Sequence, residues 1–337
     1  MNDAAADDTP VRAAGESRAA DISTARILFM LVRREFWEHR ALWMVPLGIC
    51  GLLLLSAVLG HFGMGYNNGG PPTGPFPWNV PLEGAVPVDA HTVGVAIFCL
   101  RQWALSVPLY LAGTVILYFY LLSSLFDERK DRSILFWKSL PLSDGATVAS
   151  KLLVALVIVP LGIFVLALVN HLLFNAIWDA RVAMGSLQLN PFTWDTVAWL
   201  KVEGLMLISV VMSALWYAPV AAYLVLISAW ARRNVFLWAV LPPLIAVVVE
   251  RVALGTSYVT SAFMYRLGGI WIALGLDHVS RNAMLATPRG RVLYLPKVFD
   301  AIDAGSLFAN TGLWLGLIVA GVLTYIAIRV RRYRDDT

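Results

Sequence analysis

The chain has 337 residues, of which 59% are apolar and only 14% charged, and its formal net charge is +4. Soluble domains sit nearer half apolar and a quarter charged, so this composition excludes an ordinary array of soluble domains and points to an integral membrane protein. A net charge this small for the length gives no reason to expect a nucleic-acid partner. Cys50 and Cys99 are too few for a zinc or iron–sulfur site. They fall at different depths of two apolar runs and read as small apolar fillers, not as a disulfide.

Residues 1–22 are rich in Ala and Asp, lack the apolar core of a signal peptide, and read as a disordered cytosolic tail. Over 24–40, Phe29, Val32 and Phe36 recur at helical spacing among Arg33, Arg34, Glu35, Glu38, His39 and Arg40. Arg34 and Glu38 are four apart, as are Glu35 and His39, and each pair should meet on the helix surface. The pattern predicts an amphipathic helix along the cytoplasmic interface.

Six runs then have the length and apolarity a bilayer demands: 41–60, 102–126, 152–173, 204–231, 235–254 and 304–328. The first two are separated by 61–101, where GGPPTGPFPWNVP cannot continue a helix or a central strand. This stretch is expected to be an external loop whose last part, 91–100, lies on the membrane surface. A polar connection over 174–203 carries Trp178, Trp194 and Trp199, which suit the headgroup zone. His171, beside Asn170, reads as part of a polar helix end.

The fifth run holds Pro242 and Pro243 and either continues through Glu250 and Arg251 into Leu254 or is broken. Those two charges fit an interfacial helix end or a polar pathway. Segment 255–303 returns outside, with an apolar part over 267–276 too short to cross and suited to a re-entrant or surface helix. On the sixth run Gly312, Gly316 and Ala320 recur every fourth residue, a small-residue stripe for close helix packing within the chain or between copies.

Between the second and third runs lies DERKDRSILFWKSLPLSD, residues 127–144. Six consecutive charges at roughly 3 kcal/mol each in a bilayer centre place this segment in water. Ile134, Leu135, Phe136 and Trp137 follow as a short apolar set, Pro141 stops the helix, and Ser143 or Asp144 can cap the next one. Basic residues mark the same side before the first run, after the second, after the fourth and after the sixth. The positive-inside rule therefore puts both termini and the 127–144 segment in the cytoplasm.

The chain has no GxxxxGK[ST] loop, no HExxH pair and no GxSxG elbow. Nothing in it predicts an ATPase, a metal site or another enzyme. The predicted fold is an all-α membrane protein of six transmembrane helices with cytoplasmic ends and long external loops.

Residues 120–151, YLLSSLFDERKDRSILFWKSLPLSDGATVASK, resemble the membrane subunit of bacterial ATP-binding-cassette exporters, the ABC type-2 permease family. LVRREFWEHR, 31–40, resembles the interfacial N-terminal helix of that family. The resemblance implies a dimer-forming permease of the bacterial inner membrane, paired with a second copy or a homologous permease. A separate cytoplasmic ATPase subunit would bind ATP and Mg, and this chain would carry no cofactor. By the same resemblance Glu128, Arg129, Asp131, Arg132 and Lys138 would meet the ATPase, with Arg34, Glu35 and Glu38 beside them.

Swinging a two-state gate takes about 5.5 kcal/mol of differential binding, whereas an exposed ion pair gives roughly 0–1. Aromatic anchors are therefore needed, and Phe136 and Trp137 are the candidates. The long segments after the first and fifth runs depart from the family pattern. The alternatives are a self-sufficient secondary transporter, which the charge-free centres of the runs disfavour, and a membrane enzyme or scaffold.

Overall fold

The computed structural model describes residues 24–59, 90–131, 143–185, 193–274, 283–287 and 290–333. The predicted N-terminal tail, the Pro/Gly loop and Arg132, Phe136, Trp137 and Lys138 lie outside the described residues. Helix α1 is Thr24–Glu38, followed by α2 Ala41–Leu59, α3 Ala90–Ser123, α4 Phe126–Lys130 and α5 Asp144–Leu153. A π-helical turn, Val154–Ile158, joins α5 to α6 Val159–Ala183. Then come α7 Thr196–Trp216, α8 Ala218–Trp230 and α9 Val235–Val249, which a second π turn extends over Glu250–Leu254.

Short elements follow: α10 Tyr258–Gly268, α11 Ile270–Ala273, strands β1 Met284–Thr287 and β2 Gly290–Leu293, α12 Leu295–Asp300 and α13 Ala304–Ala309. The last helix is α14, Thr311–Tyr333. The two strands form one antiparallel hairpin in which Met284 faces Leu293. Every other described element is helical.

Six helical stretches are long and apolar enough to cross a membrane: Ala41–Leu59, His91–Lys130, Asp144–Ala183, Thr196–Trp216, Val235–Leu254 and Thr311–Tyr333. This agrees with the predicted number of runs and gives the chain the character of a multi-pass membrane protein. Large apolar side chains such as Leu52, Leu111 and Ile318 point outward on these helices. Such a surface is stable where the surroundings are hydrocarbon and is a liability in water.

The core is held between α3, the α5–α6 stretch, α8 and α14. Leu109, Leu121, Val148, Val159, Leu224 and Ala327 meet there, and α8 lies along α14. Gly113 of α3 lets Ile163 of α6 come so close that a methyl group in its place would overlap that side chain. At one end of the bundle Phe98, Val202, Met206 and Leu295 pack together under the hairpin and α12.

Several boundaries differ from the sequence expectation. Residues 91–100 do not lie apart as a surface segment; they continue α3, with Arg101 inside it. Residues 174–183 and 196–203, expected in an external connection, belong to α6 and α7. Asp195 caps α7, its side chain accepting from the Ala198 N–H at 2.8 Å. The run 204–231 is divided at Tyr217 into α7 and α8, where Pro219 starts the second helix.

The last run begins at Thr311, with α13 and Asn310 before it. The fifth run does continue to Leu254 in spite of its two prolines. It stops at Gly255, whose φ of 64° suits a glycine helix end. Glu250 does not pair with Arg251: its carboxylate accepts from the Val259 and Thr260 N–H groups and caps α10.

Candidate functional site

A buried ion network closes the end of the bundle where α1, α4, α5 and α14 meet. On α5 the residues facing inward are Thr147, Val148, Ser150 and Lys151, so the lysine is carried under α1. Its Nζ donates to Glu35 Oε1 at 2.9 Å and lies 3.0 Å from Glu128 Oε1. Arg34 Nη2 reaches the same Glu128 oxygen at 2.7 Å, and Arg331 Nη1 the other at 2.6 Å. Arg331 Nε also lies 3.0 Å from Asp144 Oδ1, and the Tyr120 hydroxyl donates to Glu35 Oε2 at 2.9 Å.

Desolvation opposes every charge here, so such a network adds little net stability while fixing the elements that contribute to it. Burial works against the Arg34 charge, yet Glu38 and Glu128 hold its pKa above the ordinary value. Burial pushes the neighbouring His39 imidazole below its ordinary value, against the pull of Glu35. Ligand atoms of Glu35, Glu38 and His39 lie within 4.8 Å of one another. Lys151 and Arg34 already neutralise the two carboxylates, which leaves a metal cation little to gain there.

The sequence-predicted contact residues divide between two environments. Glu35 and Glu128 are buried in the network, Arg34 bridges Glu38 and Glu128, and Glu38 and Asp131 are exposed. Arg129 Nη2 donates to the carbonyls of Ser228 and Ala231 at 2.6 and 2.8 Å, tying α4 to the C-terminus of α8. The cap of α5 is Ser143, which accepts from the Ala146 N–H at 3.1 Å. Gly312 and Gly316 pack within the chain: they receive Tyr265 and Arg266 of α10, and Arg266 donates to the Gly312 carbonyl at 2.6 Å.

A second polar centre lies between α3, α6 and α7, twenty residues along the helical stretch from Lys151 to His171, about 30 Å away. Ser106 Oγ is 2.9 Å from His171 Nε2, and His171 Nδ1 is 2.7 Å from Glu203 Oε1. Arg101 donates to Asn175 Oδ1, as does Gln102 Nε2 at 3.1 Å. The Arg101 guanidinium lies 5.4–5.5 Å from the ring centres of Phe98, Phe174 and Trp178. All seven polar residues, Asn170 included, are buried.

This centre adjoins the charge-free runs 102–126 and 204–231, with Arg101 and Glu203 carried on the same helices, α3 and α7. The sequence alone places Arg101 and Glu203 in external segments, because an unpartnered charge is costly in hydrocarbon. Here each has partners on other helices. The legible signal was spacing: Gln102, Ser106 and Tyr110 recur every fourth residue, as do His171, Asn175 and Asp179. Comparison of the chain with family models, curated proteins and solved structures finds no match.

Proposed function

We propose that this chain is the membrane subunit of an ATP-driven exporter in the bacterial inner membrane, with both termini cytosolic and a dimeric permease core. A separate ATPase would dock on the segment around 127–144. The observation that carries the reading is Glu128, which at the start of that segment is held at once by Arg34, Lys151 and Arg331. A force on the segment would thus reach α1, the α5–α6 stretch and α14 together. That is what a handle for an external motor requires, and the resemblance of 120–151 to ABC type-2 permeases points the same way.

The test is mild detergent purification from native membranes. A P-loop ATPase is expected to co-purify with the wild-type chain and to be lost on reversing the exposed charge, Asp131→Lys. Retention of the ATPase by that variant would sink the assigned interface. A second reading, a self-sufficient secondary transporter, is favoured by the buried His171–Glu203 pair and Arg101 within apolar helices. Substrate movement by the chain alone in liposomes, under an ion gradient and without ATP, would establish that reading over the first.

A further inference from the structure

We infer that Ser106, His171 and Glu203 form a proton-binding site, reached from the end of the bundle where Asp179 lies. The inference stands on residues separate from those of the proposed ATPase contact and holds whichever engine drives transport.

The hydrogen bonds accommodate both protonation states of His171 in one arrangement of heavy atoms. With a neutral ring, Nδ1–H donates to Glu203 Oε1 and Nε2 accepts from the Ser106 hydroxyl. With a second proton on the ring, Nε2–H donates to Ser106 Oγ. The hydroxyl then turns to another acceptor, and two are in place: the Gln102 carbonyl at 3.2 Å and Met206 Sδ at 3.4 Å.

The surroundings are polar and incompletely bonded. Glu203 Oε2, Gln102 Oε1, the Tyr110 hydroxyl, Asn175 Nδ2 and both amide atoms of Asn170 are buried with no hydrogen-bonding partner in the structure. Buried polar atoms are seldom left so, and internal water satisfies them where the site is polar. Water there would deliver the proton. Its route is the stripe His171, Asn175, Asp179 on α6, four residues per step, which ends at the exposed Asp179. On the other side Leu109, Ile163 and Ala167 are buried and apolar.

The charged and titratable groups of this centre are Arg101 and Tyr110 on α3 and Glu203 on α7, with Asp179 of α6 acting on Arg101 and Arg181 of α6 bonded to the Ala57 and Val58 carbonyls of α2. Lys201 of α7 is occupied by Asp300 of α12 at 2.7 Å. Glu203 is the carboxylate in direct contact with the ring, 2.7 Å from Nδ1.

The experiment is solid-state NMR of the full chain, with histidine ring nitrogens labelled by 15N, in lipid nanodiscs. The His171 signals are assigned by their loss in His171→Asn. They should change reversibly from the one-proton to the two-proton pattern within roughly pH 4–9. In Glu203→Gln the change should follow a different pH course, since the group bonded to Nδ1 has been altered. A ring that keeps one pattern over the whole range in the wild-type chain overturns the proposal, and so does a change that Glu203→Gln leaves where it was.

Discussion

Lys151 Nζ lies 2.9 Å from Glu35 Oε1, and neither side chain has any exposed surface, although 116 positions separate the two residues. Removing one member of such a pair leaves a buried charge without compensation, which costs about 3–5 kcal/mol. Lys151→Met should therefore lower stability by about that amount in an SDS titration from mixed micelles. Adding Glu35→Gln should recover much of the loss, because the neutral amide can keep its bond from Tyr120. A Lys151→Met variant of unchanged stability would mean that water reaches the pair.

His39 makes the same end of the protein sensitive to acid. Its imidazole sits against the Tyr120 ring at 4.9 Å, and burial, aided by Lys151, opposes its protonation more than Glu35 favours it. The folded state thus binds fewer protons than the unfolded chain just below the ordinary histidine value of 6.5. This contribution is whole above that value and falls as pH drops through it. His39→Gln should flatten the stability profile between roughly pH 5 and 7 without changing it near pH 8. An unchanged slope would place the acid sensitivity elsewhere.

The contrast between these residues shows what a sequence can reveal. Arg34–Glu38 and Glu35–His39 were legible because four residues on one helix bring side chains together, and the structure holds them at 2.7 and 3.9 Å. Glu128–Arg331 was not, since the two lie 203 positions apart and no local rule joins them. Apolar run length located the spanning helices but misplaced their ends. Arg101 and Glu203 were sorted by residue type into water, while Asn175 and His171, on another helix, are what hold them inside. Glu250 was ambiguous for a similar reason, as its partner is the backbone of a helix that the sequence did not delimit.

The small-residue stripe on α14 supports a packing prediction. A methyl group at position 316 would overlap the Arg266 guanidinium, which is pinned between the Trp216 and Gly312 carbonyls and lies 4.7 Å from the Trp216 ring centre. Gly316→Ala should destabilise by about 1–3 kcal/mol through this overpacking. In the Arg266→Ala background the same change should cost much less. Equal penalties in both backgrounds would show that a contact other than Arg266 limits the site.

Ser228 joins the charged α4 turn to the bundle by a bond that can be cut alone. Its hydroxyl, fully buried, accepts from the backbone N–H groups of Leu125 and Phe126 at 3.0 and 3.1 Å. Ser228→Ala strands both donors, at roughly 1–3 kcal/mol for a buried group left unsatisfied, whereas Ser228→Thr keeps the oxygen. Amide exchange at 125–130 should speed up in the alanine variant and stay slow in the threonine variant. Arg129, which grips the same helix end through two carbonyls, should then loosen along with the turn. Slow exchange in Ser228→Ala would mean that Arg129 alone fixes the segment to α8.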